Sequence, residues 1–180
     1  MLIAIDCRFA SQHAGLGRFT RELVTALVAR DDPWEYVLFV KRKDEPWIAQ
    51  LPKQVRTMEA PFAHYSLAEQ RELPRLLRES KAALLYAPHF NIPFFCPVPY
   101  VMTVHDLILH RFPNDASWGK QMAYRLLMHR GIKRARAVLT VSTFVAEELR
   151  DMYGRRATKK MHVTFEGVSP QFTPQSQMII

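Results

Sequence analysis

The sequence predicts a parallel α/β fold, and three observations lead to that class. Short runs of β-branched and aromatic residues alternate with longer segments of helical periodicity along the chain, as in strands joined by crossover helices. The runs 100–104 and 138–141 are almost entirely apolar, which is expected of strands covered on both faces. The chain has 180 residues, of which 48% are hydrophobic, enough for one domain with a substantial core.

Seven strands are predicted from these runs. They cover residues 2–6, 36–40, 55–58, 83–86, 100–104, 137–141 and 162–165. Ligands bind to such sheets at the carboxyl ends of the strands, so we expect functional side chains in the loops that follow them.

Helices are predicted between the strands. Phe19, Leu23 and Leu27 recur at helical spacing within a helix over 16–30. Ser66 and Glu69 form the pattern of a capping box at the start of a helix that ends near residue 80. Two further helices are expected from about 116 to 135 and from 143 to 153, the second followed by a glycine that suits a helix C-terminus.

The charge and the cysteine content limit the classes of function that the chain can have. Lys and Arg number 25 against 17 Asp and Glu, a net charge of +8 that favours an anionic partner such as a phosphate ester, a membrane surface or a nucleic acid. Cys7 and Cys96 are too few for a disulfide framework, and the start of the chain lacks a signal-peptide core. We therefore expect a cytoplasmic protein, at most peripheral to a membrane.

The loop after the first strand carries a glycine pair. Gly15 and Gly17 precede a helix, where a tight turn directs backbone N–H groups at an anion, and Arg18 adds a guanidinium. Thr20 replaces the third glycine of a dinucleotide fingerprint. A plain strand-to-helix turn accounts for the pair equally well.

His105 and Asp106 follow the fifth strand. A histidine beside a carboxylate at this position can hold a hydroxyl or a developing charge. The alternative is that Asp106 caps the next turn while His105 is a core residue. No Cys or acidic set with zinc spacing accompanies them, so we expect no metal and no cofactor.

Two further features carry alternatives. Ser142 opens the helix after the sixth strand, where it serves as an N-cap or also faces a ligand. Between Lys120 and Arg136 six basic residues occur without an acid. This segment is either a solvated helix face or a face attracted to anionic lipid. Nucleic acid is the less favoured partner, because no recognition motif accompanies the basic residues.

Taken together, the chain resembles the N-terminal half of a family-4 retaining glycosyltransferase of the two-domain GT-B class. The resemblance rests on segments in matching order and spacing: IAIDCRFASQHAGLGRFTRELVTAL, YAPHFNIPFF, VPYVMTVHDLILHRFP, AVLTVSTFVAEELRDMYG and VTFEGVSPQF. It implies a Rossmann-like three-layer domain with a mostly parallel sheet of about seven strands. Bacterial sequences with this set resemble mannosyltransferases that build cell-surface polysaccharides or lipid-linked glycans.

The resemblance also implies roles for individual residues. Gly15 and Gly17 match the family's glycine loop near the donor's diphosphate or the transferred sugar, with Arg18 at its edge. His105 and Asp106 match its His-Asp pair, whose histidine would lie in the cleft against the transferred sugar or acceptor, and Ser142 matches the serine that opens the helix after the sixth strand. Glu166 stands where relatives commonly carry asparagine.

In this family a C-terminal domain with an E-x7-E pattern holds most of the nucleotide-sugar, and residues 169–180 are too few to supply one. We therefore expect an N-terminal domain over 1–168, a truncated linker over 169–180, and no donor-binding domain. The expected function is binding of a glycan or lipid-linked acceptor for sugar transfer, with negligible activity of this chain alone. The alternative is a non-enzymatic module that uses the basic helix to bind a membrane or a partner.

Overall fold

The computed structural model describes residues 1–111 and 117–168, and it confirms the predicted fold class. Seven strands form one sheet in the order β3-β2-β1-β4-β5-β6-β7, and every neighbouring pair is parallel. The strands are β1 (Leu2–Asp6), β2 (Glu35–Val40), β3 (Arg56–Glu59), β4 (Leu84–Ala87), β5 (Tyr100–Val104), β6 (Ala137–Thr140) and β7 (Met161–Val163). Each lies within two residues of its predicted bounds.

Five helices and two short 3-10 turns connect these strands within the described residues. The helices are α1 (Gly15–Val28), α2 (Leu67–Ser80), α3 (Ile108–Arg111), α4 (Trp118–Arg134) and α5 (Thr143–Thr158), and the turns cover Arg8–Ser11 and Ile48–Gln50. The backbone leaves the helical conformation at Gly154, where φ is +76°, close to the predicted end of α5. The predicted start of α4 near residue 116 and the predicted linker over 169–180 lie outside the described residues.

The strand order places a switch point between β1 and β4. The chain begins at β1, proceeds to β2 and β3 on one side, and then returns through α2 to β4 on the other side. The loops after β1 and β4 therefore diverge at the carboxyl edge, and ligands of open parallel sheets bind at such a switch point.

The core lies on both faces of the sheet, as in a three-layer domain. Successive residues of a strand point to opposite faces, and β1 follows this rule: Ile3 and Ile5 pack with Val24 of α1, whereas Ala4 packs on the other face with Leu77 of α2. Met128 and Ile132 extend that second layer through α4. None of the helices in the described ranges is long and apolar enough to cross a bilayer.

The packing of α4 corrects one interpretation of the sequence. Met122, Leu126 and Ile132 look like a single apolar stripe opposite the basic residues. In the structure Ile132 is buried, but Met122 and Leu126 are exposed at 49% and 54%. The buried face instead contains Tyr124 and Met128, because the residue period of 3.6 carries Met122 and Leu126 round to the solvent side.

Candidate functional site

His105 lies at the carboxyl edge of the sheet, immediately after β5, where three other segments meet it. Its Nε2 donates a hydrogen bond to the Pro88 carbonyl oxygen at 2.8 Å, in the loop that follows β4. Its Nδ1 lies 3.2 Å from Glu166 Oε1. The ring of Phe19, in the first turns of α1, contacts the imidazole edge-on at a centroid distance of 4.6 Å. The structure thus brings His105 together with the first turns of α1, the β4 loop and the segment after β7.

These contacts restrict the chemistry of the imidazole. Because Pro88 offers only a carbonyl oxygen, Nε2 of His105 carries a proton. A hydrogen bond between Nδ1 and Glu166 needs a proton on one of those two atoms. Glu166 is therefore the hydrogen-bond partner of the second ring nitrogen.

Asp106 caps the turn that follows β5. Its Oδ1 accepts a hydrogen bond from the Ile108 backbone N–H at 3.1 Å, as the structural alternative anticipated. The residue stays exposed and lines a small cavity of about 140 Å³ together with Phe144 and Val145 of α5. Asp106 therefore caps the turn and still presents an accessible carboxylate group.

The glycine pair separates into two different positions. A Cβ atom on Gly17 would lie 2.0 Å from the Gln12 carbonyl oxygen, whereas one on Gly15 would meet nothing within 4 Å. Ala14 precedes the helix without a side-chain acceptor for its first N–H groups. Arg18 lies on the same first turn, with Nε 3.9 Å from Glu22 Oε1.

Ser142 is the N-cap of α5, as predicted. Its Oγ accepts a hydrogen bond from the Val145 N–H at 3.2 Å. Two residues later Phe144 lines the same cavity as Asp106, so the loops after β5 and β6 lie side by side. Ser142 contacts Val145 and Ala146 of its own helix, and the lining of the cavity beside Asp106 starts at Phe144.

A buried ionic network was missed by the sequence analysis. We call it the Arg8 network: the Arg8 guanidinium, which has no exposed surface, binds Asp6 through two hydrogen bonds of 2.6 and 2.8 Å. It also donates to Glu69 Oε1 at 2.6 Å. Asn91 Nδ2 donates to the same oxygen at 2.8 Å. These residues join the end of β1, the first turn of α2 and the loop after β4.

The opposite charges of the Arg8 network stabilise one another. Burial alone would lower the pKa of Arg8, but the carboxylates of Asp6 and Glu69 outweigh it and raise that pKa. Burial alone would also raise the pKa of Glu69, but nearby His64, Arg8 and Asn91 lower it overall. The sequence signal was present in Asp6 and Arg8 beside an apolar strand, but nothing local identified Glu69 or Asn91 as their partners.

Aromatic and histidine rings lie beside the Arg8 network, where His64 Nδ1 is 3.8 Å from Glu69 Oε1. Phe9 stacks on His64 at 3.7 Å and lies 4.9 Å from His89. Tyr65 Oη hydrogen-bonds to His89 Nδ1 at 3.4 Å. Burial, with smaller contributions from the charges of His105 and His64, lowers the pKa of His89 to about 3, so this ring is neutral at physiological pH. Across residues 1–111 and 117–168, no three His, Cys, Asp or Glu side chains group in a way that would hold a metal.

Comparison with known proteins places this geometry in context. The family described as Glycosyltransferase Family 4 matches residues 13–172. A crystal structure of HepE from Anabaena in complex with UDP-glucose superposes with a TM-score of 0.60 at 16% identity, covering 95% of this chain and 47% of HepE. The lipopolysaccharide outer core galactosyltransferase WaaB in its apo form gives a TM-score of 0.56 at 14% identity, with coverages of 94% and 46%. The chain thus spans about half the length of either protein. A search of curated sequences finds no match.

Proposed function

Because this chain belongs to glycosyltransferase family 4, we propose that it is the acceptor-binding half of an enzyme that transfers a sugar from a nucleotide-sugar. One observation carries the proposal: Phe19 in the first turns of α1, the β4 loop and Glu166 all converge on His105 at the carboxyl edge of the sheet. A sugar-transfer site needs such convergence, since several loops must hold two substrates in one geometry.

The proposed roles follow from the contacts. His105 faces the transferred sugar or the acceptor hydroxyl, and Asp106 offers an accessible carboxylate beside it. Gly15, Gly17 and Arg18 approach the donor's diphosphate with the N-terminus of α1, where backbone N–H groups favour negative charge. Ser142 holds the start of α5 at the margin of the same site. Mannose as the sugar and a glycan or lipid-linked acceptor are proposed from the family resemblance.

Donor binding by this chain alone should be weak. A leaving diphosphate needs donors on both sides of a closed cleft, and charges that remain in water interact weakly. The expected result of calorimetry with UDP-glucose or GDP-mannose is a dissociation constant of roughly 1 mM or weaker, without measurable transfer. In backbone NMR spectra at high ligand concentration, the amides of residues 15–18 and the signals of His105 should shift. Micromolar binding, or shifts confined to a different surface, would contradict the proposal.

A second candidate function is docking on an anionic membrane, and the outer face of α4 favours it. Trp118, Met122 and Leu126 recur every four residues and are exposed at 77%, 49% and 54%. Cations on or just after the same helix include Lys120, Arg125, Lys133, Arg134 and Arg136. Apolar side chains among cations are typical of helices that lie in a lipid interface. Arg130 is excluded from this set, because it donates to the Phe94 carbonyl and lies over the Phe94 ring.

Vesicle co-sedimentation tests the docking. The chain should bind phosphatidylglycerol vesicles more tightly than phosphatidylcholine vesicles, since each cation near an anionic surface contributes about 1 kcal/mol. The triple variant K133E/R134E/R136E should lose that preference. Equal binding to both lipids by the unaltered chain would refute the electrostatic explanation. Binding of both chains to phosphatidylglycerol alike would show that these three cations are not responsible.

A further inference from the structure

Tyr65 has a backbone conformation that its side chain disfavours. Its φ is +59°, in the left-handed region, which is uncommon for a residue other than glycine and most unfavourable for bulky ones. Residues held in such conformations cluster at functional sites, and they persist where the surrounding structure enforces them. The positive φ of Tyr65 therefore needs a structural cause and a functional reason.

The Arg8 network enforces this conformation. The Tyr65 backbone N–H donates to Glu69 Oε2 at 2.7 Å, while the other oxygen of the same carboxylate binds Arg8 and Asn91. In a capping box the N3 side chain returns to the N-cap N–H, which would be that of Ser66. Here the carboxylate reaches one residue further back and fixes Tyr65 instead. A fully buried carboxylate thus determines where one surface tyrosine lies.

The ring held in this way is not part of the core. Tyr65 is 57% exposed, yet its hydroxyl group shares a hydrogen bond of 3.4 Å with His89 Nδ1. Its centroid lies 6.3 Å from those of His89 and Phe90. Packing does not account for a strained, oriented and largely exposed aromatic ring at the carboxyl edge of the sheet. A ligand that stacks on the ring does.

The surroundings favour a neutral, hydroxyl-bearing ligand. His89 is uncharged, because burial and the neighbouring His105 and His64 depress its pKa to about 3. Burial, then Glu69 and then Asp106 raise the pKa of the Tyr65 hydroxyl, so this group stays protonated. A neutral imidazole and a phenol offer a diphosphate no positive charge, whereas both can form hydrogen bonds with the hydroxyl groups of a sugar.

We propose that Tyr65 and His89 form a subsite for one pyranose ring of the acceptor, with the C–H face of the sugar stacked on the tyrosine ring and a hydroxyl group of the sugar directed to His89. The subsite rests on the proposed function for its place beside His105. An aromatic face and a few polar groups that set the orientation are the usual components of such a site. The sugar ring would bridge the loop before α2 and the loop after β4.

Saturation-transfer NMR on this chain tests the subsite, with methyl α-D-mannopyranoside and methyl β-D-glucopyranoside as probes and glycerol as a polyol without a ring. At least one glycoside should receive saturation at the protons of one ring face, and glycerol should not. Tyr65→Gly removes the ring and relieves the positive φ, so it should raise the melting temperature while weakening glycoside binding about tenfold. Tyr65→Phe should keep most of the binding. Phe95→Ala, which removes another exposed phenyl ring (74% exposed), should leave it unchanged.

Four outcomes would overturn the subsite: no glycoside signal from the unaltered chain, unchanged binding by Tyr65→Gly, equal loss in Phe95→Ala, or displacement of the glycoside by uridine, which would assign the ring to the donor's base. UDP-glucose titration of Tyr65→Gly separates this proposal from the proposed function. If the shifts at residues 15–18 and His105 persist in the variant, the proposed transferase function stands. The acceptor subsite is then decided by the glycoside experiments alone.

Discussion

Gly15 and Gly17 form one motif in the sequence but have different roles in the fold. The backbone at Gly17 passes so close to the Gln12 and Phe9 carbonyl oxygens that a Cβ atom would lie 2.0 and 2.9 Å from them. Gly15 has open space at the same place. Gly17 therefore closes the turn between the first 3-10 segment and α1, and Gly15 is the member of the pair that is free to face a ligand.

Alanine substitutions should separate these roles. Gly17→Ala should lower the free energy of unfolding by about 1–3 kcal/mol, because the new methyl group forces the backbone of the turn apart. Gly15→Ala should change it by no more than about 0.5 kcal/mol, since alanine favours the helix and meets no atom there. Urea denaturation of both variants measures the difference. Equal stabilities would show that the turn relaxes around an added methyl group.

His89 should make the stability of the fold depend on pH. Its pKa is about 3 in the folded chain against about 6.5 in an unfolded one. Between these values the unfolded state binds more protons, so stability falls as the pH drops below about 6.5. The melting temperature should decline from pH 7 to pH 5, and His89→Gln should decline less steeply. Parallel curves for the two chains would show that His89 gains its proton without unfolding.

Ser66 and Glu69 show which contacts a local sequence pattern predicts and which it does not. Their three-residue spacing correctly predicts the cap, since the Ser66 Oγ accepts from the Glu69 N–H at 3.1 Å. The same pattern assigns the Glu69 carboxylate to Ser66, whereas it binds Tyr65, Arg8 and Asn91. Arg8 is 61 residues away along the chain and Asn91 is 22 away. Spacing rules describe partners within one turn, and these partners meet only because the sheet brings β1 and β4 together.

At the scale of elements, the Arg8 network joins β1, α2 and the β4 loop through one guanidinium. Arg8→Met should lower the free energy of unfolding by about 3–5 kcal/mol, because it leaves two buried carboxylates without their counter-charge. Arg42→Met is the matched control: Arg42 makes a similar bidentate pair with Asp44 at 2.6 and 2.9 Å, but on the exposed surface. Exposed pairs contribute little, so this variant should unfold like the parent chain.

Circular dichroism with urea compares the two variants. Failure of Arg8→Met to fold, alongside a normal Arg42→Met, would be the extreme form of the expected result. If the two midpoints coincide, the fold does not depend on the buried pair, and the conformation of Tyr65 needs another cause.

The sequences of the helices predict where the helices begin and end better than they predict which face is buried. For α2 and α5, the N-cap serines Ser66 and Ser142 correctly predict where the helices begin. Gly154 correctly predicts where the helical conformation of α5 is interrupted. For α4 the sequence suggests an apolar stripe of Met122, Leu126 and Ile132, but two of these three residues are exposed. Only the structure shows that Tyr124 and Met128 face the sheet while Trp118 and Leu126 face outward.

At the scale of the whole molecule, the alternation of strand and helix predicted the parallel sheet because each strand carries its own signal, as in Tyr100–Val104. The positions of strands within the sheet carry no such signal: β1 pairs with β2 and also with β4, although 43 residues of sequence separate β2 from β4. The meeting of Arg8, Glu69 and Asn91 near the β1–β4 switch point follows from that order, so it was not predictable from any one segment.

The sheet order makes a prediction about where the molecule opens first. In the central strands β1, β4 and β5 nearly every residue is buried, so their amides should exchange with solvent only when the whole domain unfolds. The edge strand β7 is mostly exposed and pairs with β6 alone, so it should fray with a much smaller free energy. Native-state hydrogen exchange in low urea should show Ala4, Leu85 and Met102 following global unfolding, and His162 exchanging independently of urea. Exchange of β7 and β1 at a common free energy would instead show that the sheet opens as one cooperative unit.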